Sequence, residues 1–201
     1  GLLLGAGLGN KLVFAIERPD LIAAWWAGGP LLLGQSIVGG LLGGLIGIEI
    51  AKVLTRQPAS TGDLMVTPLI AGLMLGRVGC FLAGLHDDTY GLPTALPWGV
   101  DHGDGVPRHP SALYEIGFLA LLGALLHRAR DALAPVAGLR FKLFLATYLL
   151  WRLLADGLKP VRVDYPAGLS GIQWVCLLAL LIYLPLLARA ARPLQLQPRH
   201  P

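Results

Sequence analysis

Long apolar runs alternate with short polar connections along almost the whole of this chain of 201 residues. Most of the runs approach the roughly 20 residues that an α-helix needs to cross a bilayer. Their residues show no period of two, which argues against the strands of a membrane β-barrel. The pattern predicts an all-α, polytopic membrane bundle of six to seven transmembrane helices, with candidate spans near residues 1–16, 36–54, 64–84, 110–126, 138–158 and 171–190.

Residues 21–34 are also apolar, but this segment is short and rich in Trp, Gly and Pro. Trp side chains concentrate at the depth of lipid headgroups, so we interpret the segment as interfacial or re-entrant. The first apolar run begins at Gly1 itself, and we expect the first helix to be incomplete. We predict a single transmembrane domain over residues 1–190 and a polar C-terminal tail over residues 191–201.

Composition supports the prediction of a membrane protein. Hydrophobic residues make up 55% of the chain and charged residues 14%, whereas soluble domains contain about 25% charged residues. The net charge of +4 arises from basic residues scattered between apolar runs, which favours anionic lipid over nucleic acid as the partner. Cys80 and Cys176 both lie in apolar runs and support neither a disulfide framework nor a four-ligand zinc site.

Basic residues are distributed unevenly between the two sets of connections. Cytoplasmic loops are enriched in Lys and Arg, so the richer side is predicted to be cytoplasmic. The loop over residues 85–109 then lies outside the cytoplasm as a head region. The richer side holds Lys52, Arg56, Arg128, Arg130, Arg140, Lys142, Arg189, Arg192 and Arg199, and the poorer side holds Arg18, Arg108, Lys159 and Arg162.

Two arginines lie inside the predicted spans. Arg77 belongs to the span at residues 64–84 and Arg152 to the span at residues 138–158. Both spans run outward, so both arginines fall in the outer half of the bilayer, and this common depth would allow them to share one site. A charged side chain in hydrocarbon is costly and is usually kept for function. We therefore expect these arginines to meet an anion.

The two arginines differ in their surroundings. Helical spacing predicts one face that carries Tyr148, Arg152, Asp156 and Lys159. Asp156 either neutralises Arg152 in an internal ion pair or holds its guanidinium in position for a bidentate phosphate contact, and the two interpretations are compatible. Arg77 has no acidic residue nearby on its own helix, so its charge must be balanced by another segment, by a ligand, or by both.

The predicted outer loop contains several carboxylates and imidazoles. No pair of metal ligands at helical spacing is present, and a solvated acidic loop is the more common meaning of such a composition. His109 precedes Pro110, which suits a helix start, so Glu115 in the first turns either caps that helix or belongs to a site. The loop residues concerned are His86, Asp87, Asp88, Tyr90, Asp101, His102, Asp104 and His109.

Glycines three and four residues apart occupy the second and third predicted spans. Small residues at this spacing allow helices to approach closely, and they also leave backbone amides accessible to a lipid headgroup. Neither interpretation excludes the other. The glycines are Gly39, Gly40, Gly43, Gly44 and Gly47 in one span and Gly72, Gly76, Gly79 and Gly84 in the other.

Together these motifs resemble the prolipoprotein diacylglyceryl transferase family. The central match is the run Gly76-Arg77-Val78-Gly79-Cys80-Phe81-Leu82-Ala83-Gly84, followed by Tyr90-Gly91, Pro97-Trp98-Gly99 and Arg108-His109-Pro110 through Leu113-Tyr114-Glu115. Upstream, residues 36–41 resemble the family's glycine motif, and downstream the resemblance continues through Arg152, Asp156 and Lys159. It covers most of the chain.

The resemblance implies a polytopic enzyme of the bacterial inner membrane, with its active site toward the periplasmic side. It also implies the reaction, which transfers the diacylglyceryl group of phosphatidylglycerol to the lipobox cysteine thiol of a prolipoprotein. Glycerol phosphate is the leaving group. The nucleophile belongs to the substrate, so the resemblance implies no cofactor, no metal and no catalytic Ser or Cys in this chain.

Roles for individual residues follow from the resemblance by position. Arg77 and Arg152 would hold the phosphate, and Asp156 would orient Arg152. Thiol deprotonation would be assisted by Asp87, Asp88 or His109. The residues that the resemblance places at the substrate are Gly39, Gly40, Cys80, Tyr90, Gly91, Tyr114 and Glu115.

Four positions depart from the family pattern. Val38 stands where the family usually has His, and Cys80 stands where it commonly has Asn. Asp156 replaces a typical Glu and Lys159 a typical Arg, and Lys lacks the bidentate geometry of a guanidinium. The alternative prediction is a family paralogue that has lost transfer activity and binds or moves phospholipid.

Overall fold

A computed structural model describes residues 1–30, 34–57, 59–86, 89–161, 163 and 165–196. Regular structure within these residues is almost entirely helical. The helices are α1 (Leu2–Glu17), α2 (Pro19–Trp26), α3 (Ile37–Thr55), α4 (Gly62–Ala83), α5 (Ser111–Arg128), α6 (Arg130–Leu133), α7 (Leu139–Ala155) and α8 (Gly171–Leu196). Short 3₁₀ turns occupy Gly84–His86, Asp156–Leu158 and Pro166–Gly168, and strands β1 (Val100–Asp101) and β2 (Pro107–Arg108) pair antiparallel.

Each of the six apolar segments identified in the sequence forms a helix, namely α1, α3, α4, α5, α7 and α8. Among the described residues, three helices are long and apolar enough to cross a membrane: Ile37–Thr55, Gly62–His86 and Gly171–Pro193. The prediction of a helical protein with helices able to cross a membrane is confirmed, while the count of six to seven spans stays a prediction. The apolar segment at residues 21–34 contributes most of α2, and its residues 31–33 lie outside the described part of the chain.

The end of α7 corrects one prediction. The helix ends at Ala155 and continues as the 3₁₀ turn Asp156–Leu158, so Lys159 lies beyond it and does not share a continuous helical face with Arg152. Gly157 has low helix propensity, and Pro160 disfavours a helical conformation of the residue before it. These two residues explain why the helix stops earlier than its apolar run suggests.

The chain divides into two compact units. The first comprises Gly1–Ala59, Leu149–Asp156 and Val161–Leu181. Within it, α1 packs against α3 with glycine facing glycine. A methyl group at Gly43 would overlap the carbonyl oxygen of Gly5, so the two backbones are in direct contact, as small residues in membrane helices allow.

The start of α3 is fixed by side chains of the same unit. The Ser36 hydroxyl accepts a hydrogen bond from the Gly39 amide at 3.4 Å, which caps the helix. The Ser36 amide in turn donates to Asn10 Oδ1 at 2.7 Å, and Lys11 Nζ donates to the Gly34 carbonyl oxygen at 2.9 Å. Helix α1 therefore holds α3 both along its length and at its first turn.

The second unit comprises Ser60–Tyr148, Gly157–Pro160 and Ile182–Pro201. Here α4 packs against α5. The Asp63 carboxylate, in the first turn of α4, accepts hydrogen bonds from the amides of Gly138 at 2.7 Å and Phe141 at 2.9 Å. It thereby satisfies amides at the start of α7 that have no partner within that helix. Buried apolar side chains in this unit include Val66, Ile70, Leu119, Leu122, Leu126, Phe144 and Leu145.

Replacing Gly43 with Ala is expected to destabilise the protein by about 1–3 kcal/mol, because the added methyl group overpacks the α1–α3 contact. The matched control is Gly72→Ala in α4, where a Cβ would meet nothing within 4 Å. Alanine has the better helix propensity, so this control should be neutral or stabilising. Unfolding in mixed micelles, followed by circular dichroism, measures both variants, and equal destabilisation would contradict the close packing at Gly43.

Candidate functional site

Arg77 is balanced by a carboxylate from a different helix. It is 3% exposed on α4, and its Nη2 lies 3.0 Å from Oε2 of Glu115, which is 2% exposed on α5. The other carboxylate oxygen, Oε1, accepts a hydrogen bond from the Tyr148 hydroxyl at 2.7 Å. Of the possibilities that the sequence left open, the structure shows another segment balancing the charge of Arg77, and Glu115 contacts this arginine.

Burial makes this arrangement energetically demanding. Removing two charges from water costs several kcal/mol per ion, which their attraction offsets only when the geometry is good and further hydrogen bonds are made. The Tyr148 hydroxyl supplies such a bond to Glu115. Arg77 Nη1 also donates to Cys80 Sγ at 3.7 Å, and a thiol is a weak acceptor. Cys80, which departs from the pattern that the chain resembles, therefore contacts Arg77 directly.

Arg152 and Asp156 form an ion pair in the first unit. Arg152 Nη2 donates to Asp156 Oδ1 at 2.9 Å, and the two residues are 4% and 6% exposed. The pair links the last turn of α7 to the first residue of the 3₁₀ turn that follows it. The predicted ion pair is present, and the predicted contact with phosphate stays a prediction.

Sequence reasoning missed Ser170, which contacts this pair, and Gln173, which bonds to the neighbouring Leu153. The Ser170 hydroxyl donates to Asp156 Oδ2 at 2.5 Å, and Gln173 Nε2 donates to the Leu153 carbonyl oxygen at 2.9 Å. A signal was available in the run Ser170-Gly171-Ile172-Gln173. Ser followed three residues later by Gln, just before an apolar run, is the pattern of a capping box at a helix start.

The segment between α4 and α5 is organised around its β-hairpin, in the second unit. Asp101 accepts hydrogen bonds from the amides of Gly103, Asp104 and Gly105 at 2.8 to 3.1 Å. Arg108 makes a bidentate contact with Asp104, with both distances at 2.7 Å. The Arg108 guanidinium also lies 5.4 Å from the centre of the Tyr90 ring. Asp101, Asp104 and Tyr90 therefore help to hold the loop in its conformation.

His109 belongs to a small polar cluster at the start of α5. Its Nδ1 lies 3.3 Å from the Tyr114 hydroxyl, which accepts a hydrogen bond from Trp98 Nε1 at 2.7 Å. A small cavity adjoins the cluster. Its lining residues are Cys80, Phe81, Gly84, Thr89, Tyr90, His102, His109, Pro110, Ser111 and Ala112.

Two of the glycines predicted to bind substrate have packing contacts. A methyl group at Gly39 would overlap the Gly9 carbonyl oxygen, and one at Gly91 would overlap the His109 carbonyl oxygen. Gly40 is less tightly enclosed, since a methyl group there would come only within 4.0 Å of the Ala6 oxygen. Close packing thus explains why positions 39 and 91 are glycine, and it is compatible with their predicted contacts to substrate.

The candidate residues are distributed between the two units. The first contains Gly39, Gly40, Arg152 and Asp156, and the second contains Arg77, Cys80, Tyr90, Gly91, His109, Tyr114 and Glu115. Contacts join Arg77, Cys80 and Glu115 into one group and His109 and Tyr114 into another. Asp87 and Asp88, the other candidates for thiol deprotonation, lie outside the described residues.

The described residues thus form a helical protein with three helices long and apolar enough to cross a membrane and with buried arginine–carboxylate pairs. The model of the prolipoprotein diacylglyceryl transferase family matches residues 1–189. This chain belongs to that family.

Three curated relatives carry the name phosphatidylglycerol–prolipoprotein diacylglyceryl transferase. The protein from Geobacter sulfurreducens is 34% identical over 78% of this chain and 60% of its own length. The protein from Bordetella parapertussis is 32% identical over 96% of this chain and 75% of its own length. The protein from Legionella pneumophila strain Paris is 31% identical over 87% of this chain and 67% of its own length. The chain therefore spans well under the full length of these relatives.

Replacing Glu115 with Gln is expected to lower the free energy of unfolding by about 3–5 kcal/mol, because the buried guanidinium of Arg77 loses its counter-ion. The matched control is Glu49→Gln, since Glu49 pairs with Lys52 at 2.8 Å but is 58% exposed. An exposed pair contributes about 0–1 kcal/mol. Unfolding in mixed micelles compares the two variants, and similar losses would show that burial of the Arg77 pair has no energetic consequence.

The hairpin should respond to acid through one carboxyl group. The hydrogen bond from Arg108 lowers the pKa of Asp104 to about 2. The unfolded pKa is higher, about 3.9, so the pair stabilises the fold above about pH 4 and this contribution disappears as the pH falls toward about 2. Thermal unfolding of the parent and Arg108→Gln should therefore converge over this range, and a constant difference between the two would contradict the lowered pKa.

Proposed function

We propose that this protein transfers the diacylglyceryl group of phosphatidylglycerol to the lipobox cysteine thiol of a prolipoprotein. The thiol sulfur forms a thioether bond with the glyceryl carbon, the bond from that carbon to the phosphate oxygen breaks, and the thiol proton is released. Glycerol phosphate leaves. The family match over residues 1–189 carries this proposal, and relatives named for the same activity support it.

Arg77 and Arg152 are the proposed phosphate-binding groups. Each is at most 4% exposed, and each guanidinium is held by a carboxylate, at 3.0 Å for Arg77 and 2.9 Å for Arg152. A cation whose direction is already fixed in a low-dielectric environment stabilises developing phosphate charge without having to reorganise. In this scheme Asp156 orients Arg152, and Glu115 orients Arg77.

Asp87, Asp88 and His109 are the proposed candidates for assisting thiol deprotonation. Imidazole is the group that proteins use most often for proton transfer, and the contact of His109 with the Tyr114 hydroxyl limits the rotation of its ring. The substrate-binding proposal retains Gly39, Gly40, Cys80, Tyr90, Gly91, Tyr114 and Glu115.

The proposed location is the bacterial inner membrane, with six to seven spans and the head region of residues 85–109 on the periplasmic side. The excess of Lys and Arg in the opposite connections supports this orientation. Phosphatidylglycerol is a membrane lipid, so an enzyme that spans the bilayer meets this substrate directly.

A second candidate function is supported by positions 38 and 80. Val38 is 1% exposed, and an alkyl side chain supplies no group for proton transfer where the family usually has His. Cys80 offers Arg77 a weaker acceptor than the Asn that is common in the family. The second candidate is therefore a paralogue that binds or moves phospholipid without transferring its diacylglyceryl group.

Incubation of the purified protein with phosphatidylglycerol micelles and a lipobox peptide separates the two functions. The proposed transferase adds one diacylglyceryl group to the peptide cysteine, which mass spectrometry detects. Lipid binding without any mass gain would support the second candidate and refute the first. A protein that neither binds this lipid nor modifies the peptide would contradict both.

In the same assay, Arg77→Lys and Arg152→Lys should each lower turnover by about 10²-fold or more, since lysine keeps the charge but loses the planar fork of donors. Arg128→Lys is the matched control, because Arg128 is exposed in the last turn of α5. Parental turnover in both test variants would rule out the proposed phosphate contacts.

A further inference from the structure

The carboxylate of Asp156 is held from two sides. Oδ1 accepts from Arg152 Nη2 at 2.9 Å, and Oδ2 accepts from the Ser170 hydroxyl at 2.5 Å. Asp156 is the first residue after α7, in a 3₁₀ turn of three residues. The backbone of Asp156 is therefore not fixed by a regular helix. The contact with Ser170 restrains the Asp156 carboxylate in its place.

Hydrogen bonding fixes the direction of the Ser170 hydroxyl. Its oxygen accepts from the Gln173 amide at 3.1 Å, and the Ser170 amide donates to Gln173 Oε1 at 2.9 Å. These reciprocal bonds form a capping box at the start of α8. A hydroxyl has only one proton, so with its oxygen engaged by Gln173 the proton is directed to Asp156.

Burial makes the bond from Ser170 to Asp156 difficult for water to replace. Ser170 is 9% exposed, Gln173 8%, Asp156 6% and Arg152 4%. In such a site an interrupted hydrogen bond to a charged group is not readily replaced by bulk water, so its loss costs more than on the surface. Gln173 Nε2 also donates to the Leu153 carbonyl oxygen at 2.9 Å, which joins the start of α8 to the last turn of α7.

We propose that Ser170 is a positioning residue for Arg152. Its hydroxyl fixes the Asp156 carboxylate, and that carboxylate fixes the plane in which the Arg152 guanidinium presents its N–H donors to an anionic phosphate. The inference rests on the proposed role of Arg152 in binding the lipid headgroup. Capping of α8 alone would explain the bonds between Ser170 and Gln173, but it does not require the hydroxyl proton to point at Asp156.

Ser170→Gly separates positioning from capping. Glycine at an N-cap costs only a few tenths of a kcal/mol relative to serine, yet this substitution removes the donor to Asp156. We expect the affinity for a soluble short-chain phosphatidylglycerol to fall about tenfold or more, and the melting temperature to fall less than this loss of affinity would require, because the Asp156 carboxylate loses one buried donor while the cap is largely kept. Ser170→Thr keeps the hydroxyl and should restore the affinity.

Gln173→Ala is the matched control. It removes the capping-box partner and the bond to Leu153 but leaves the Ser170 hydroxyl, so it should lower the melting temperature more than the affinity. The inference is overturned if Ser170→Gly binds like the parent, or if both variants lose affinity only in proportion to their melting temperatures. If Ser170→Gly does not fold, Ser170→Cys, a much weaker donor of similar shape, replaces it in the same comparison.

A double-mutant cycle tests whether Ser170 acts through Asp156. In an Asp156→Asn background, Ser170→Gly should cause little further loss of affinity, whereas independent roles would give additive losses and overturn the inference. Headgroup affinity is measured separately from peptide modification. A parent that binds the lipid without modifying the peptide refutes the proposed transfer while these affinity ratios still decide the role of Ser170, and a parent without measurable affinity overturns the positioning role as well.

Discussion

A guanidinium withdrawn from water must be paired, and this constraint organises the polar interior of the protein. Arg77 and Arg152 are almost completely buried; Arg77 contacts the carboxylate of Glu115, and Arg152 contacts that of Asp156. Each carboxylate in turn accepts a hydrogen bond from one hydroxyl, that of Tyr148 for Glu115 and that of Ser170 for Asp156. The same sequence of groups, guanidinium to carboxylate to hydroxyl, thus occurs in both units, although different helices supply its members.

Such an arrangement suits a site for a charged headgroup better than an unpaired arginine would. The carboxylate limits the rotation of the guanidinium before any ligand arrives, so less side-chain entropy is lost on binding. The hydroxyl keeps the carboxylate from turning away. The phosphate contacts proposed for this member of the family would then be made by guanidinium donors whose direction was set during folding.

The sequence allowed much of this architecture to be predicted, for identifiable physical reasons. Apolar runs located the six principal helices, and the spacing of four residues identified the pairing of Arg152 with Asp156, although Asp156 lies in the turn just after α7. The partner of Arg77 was not predictable in this way, because Glu115 lies on another helix and meets Arg77 only through tertiary packing. Ser170 and Gln173 did carry a local signal, the capping-box spacing, but their contacts with residues of the preceding helix depend on how the chain returns after α7.

The capping of α7 by Asp63 has a consequence for the order of assembly. Asp63 precedes Gly138 and Phe141 in the chain, so during synthesis the carboxylate emerges well before the amides that it will accept. Until these bonds form, water must hydrogen-bond to the Asp63 carboxylate and to the two amides, since unsatisfied backbone amides are costly in hydrocarbon. The first turn of α7 is therefore completed only by its contact with α4, so this cap cannot form before the chain has been synthesised through Phe141.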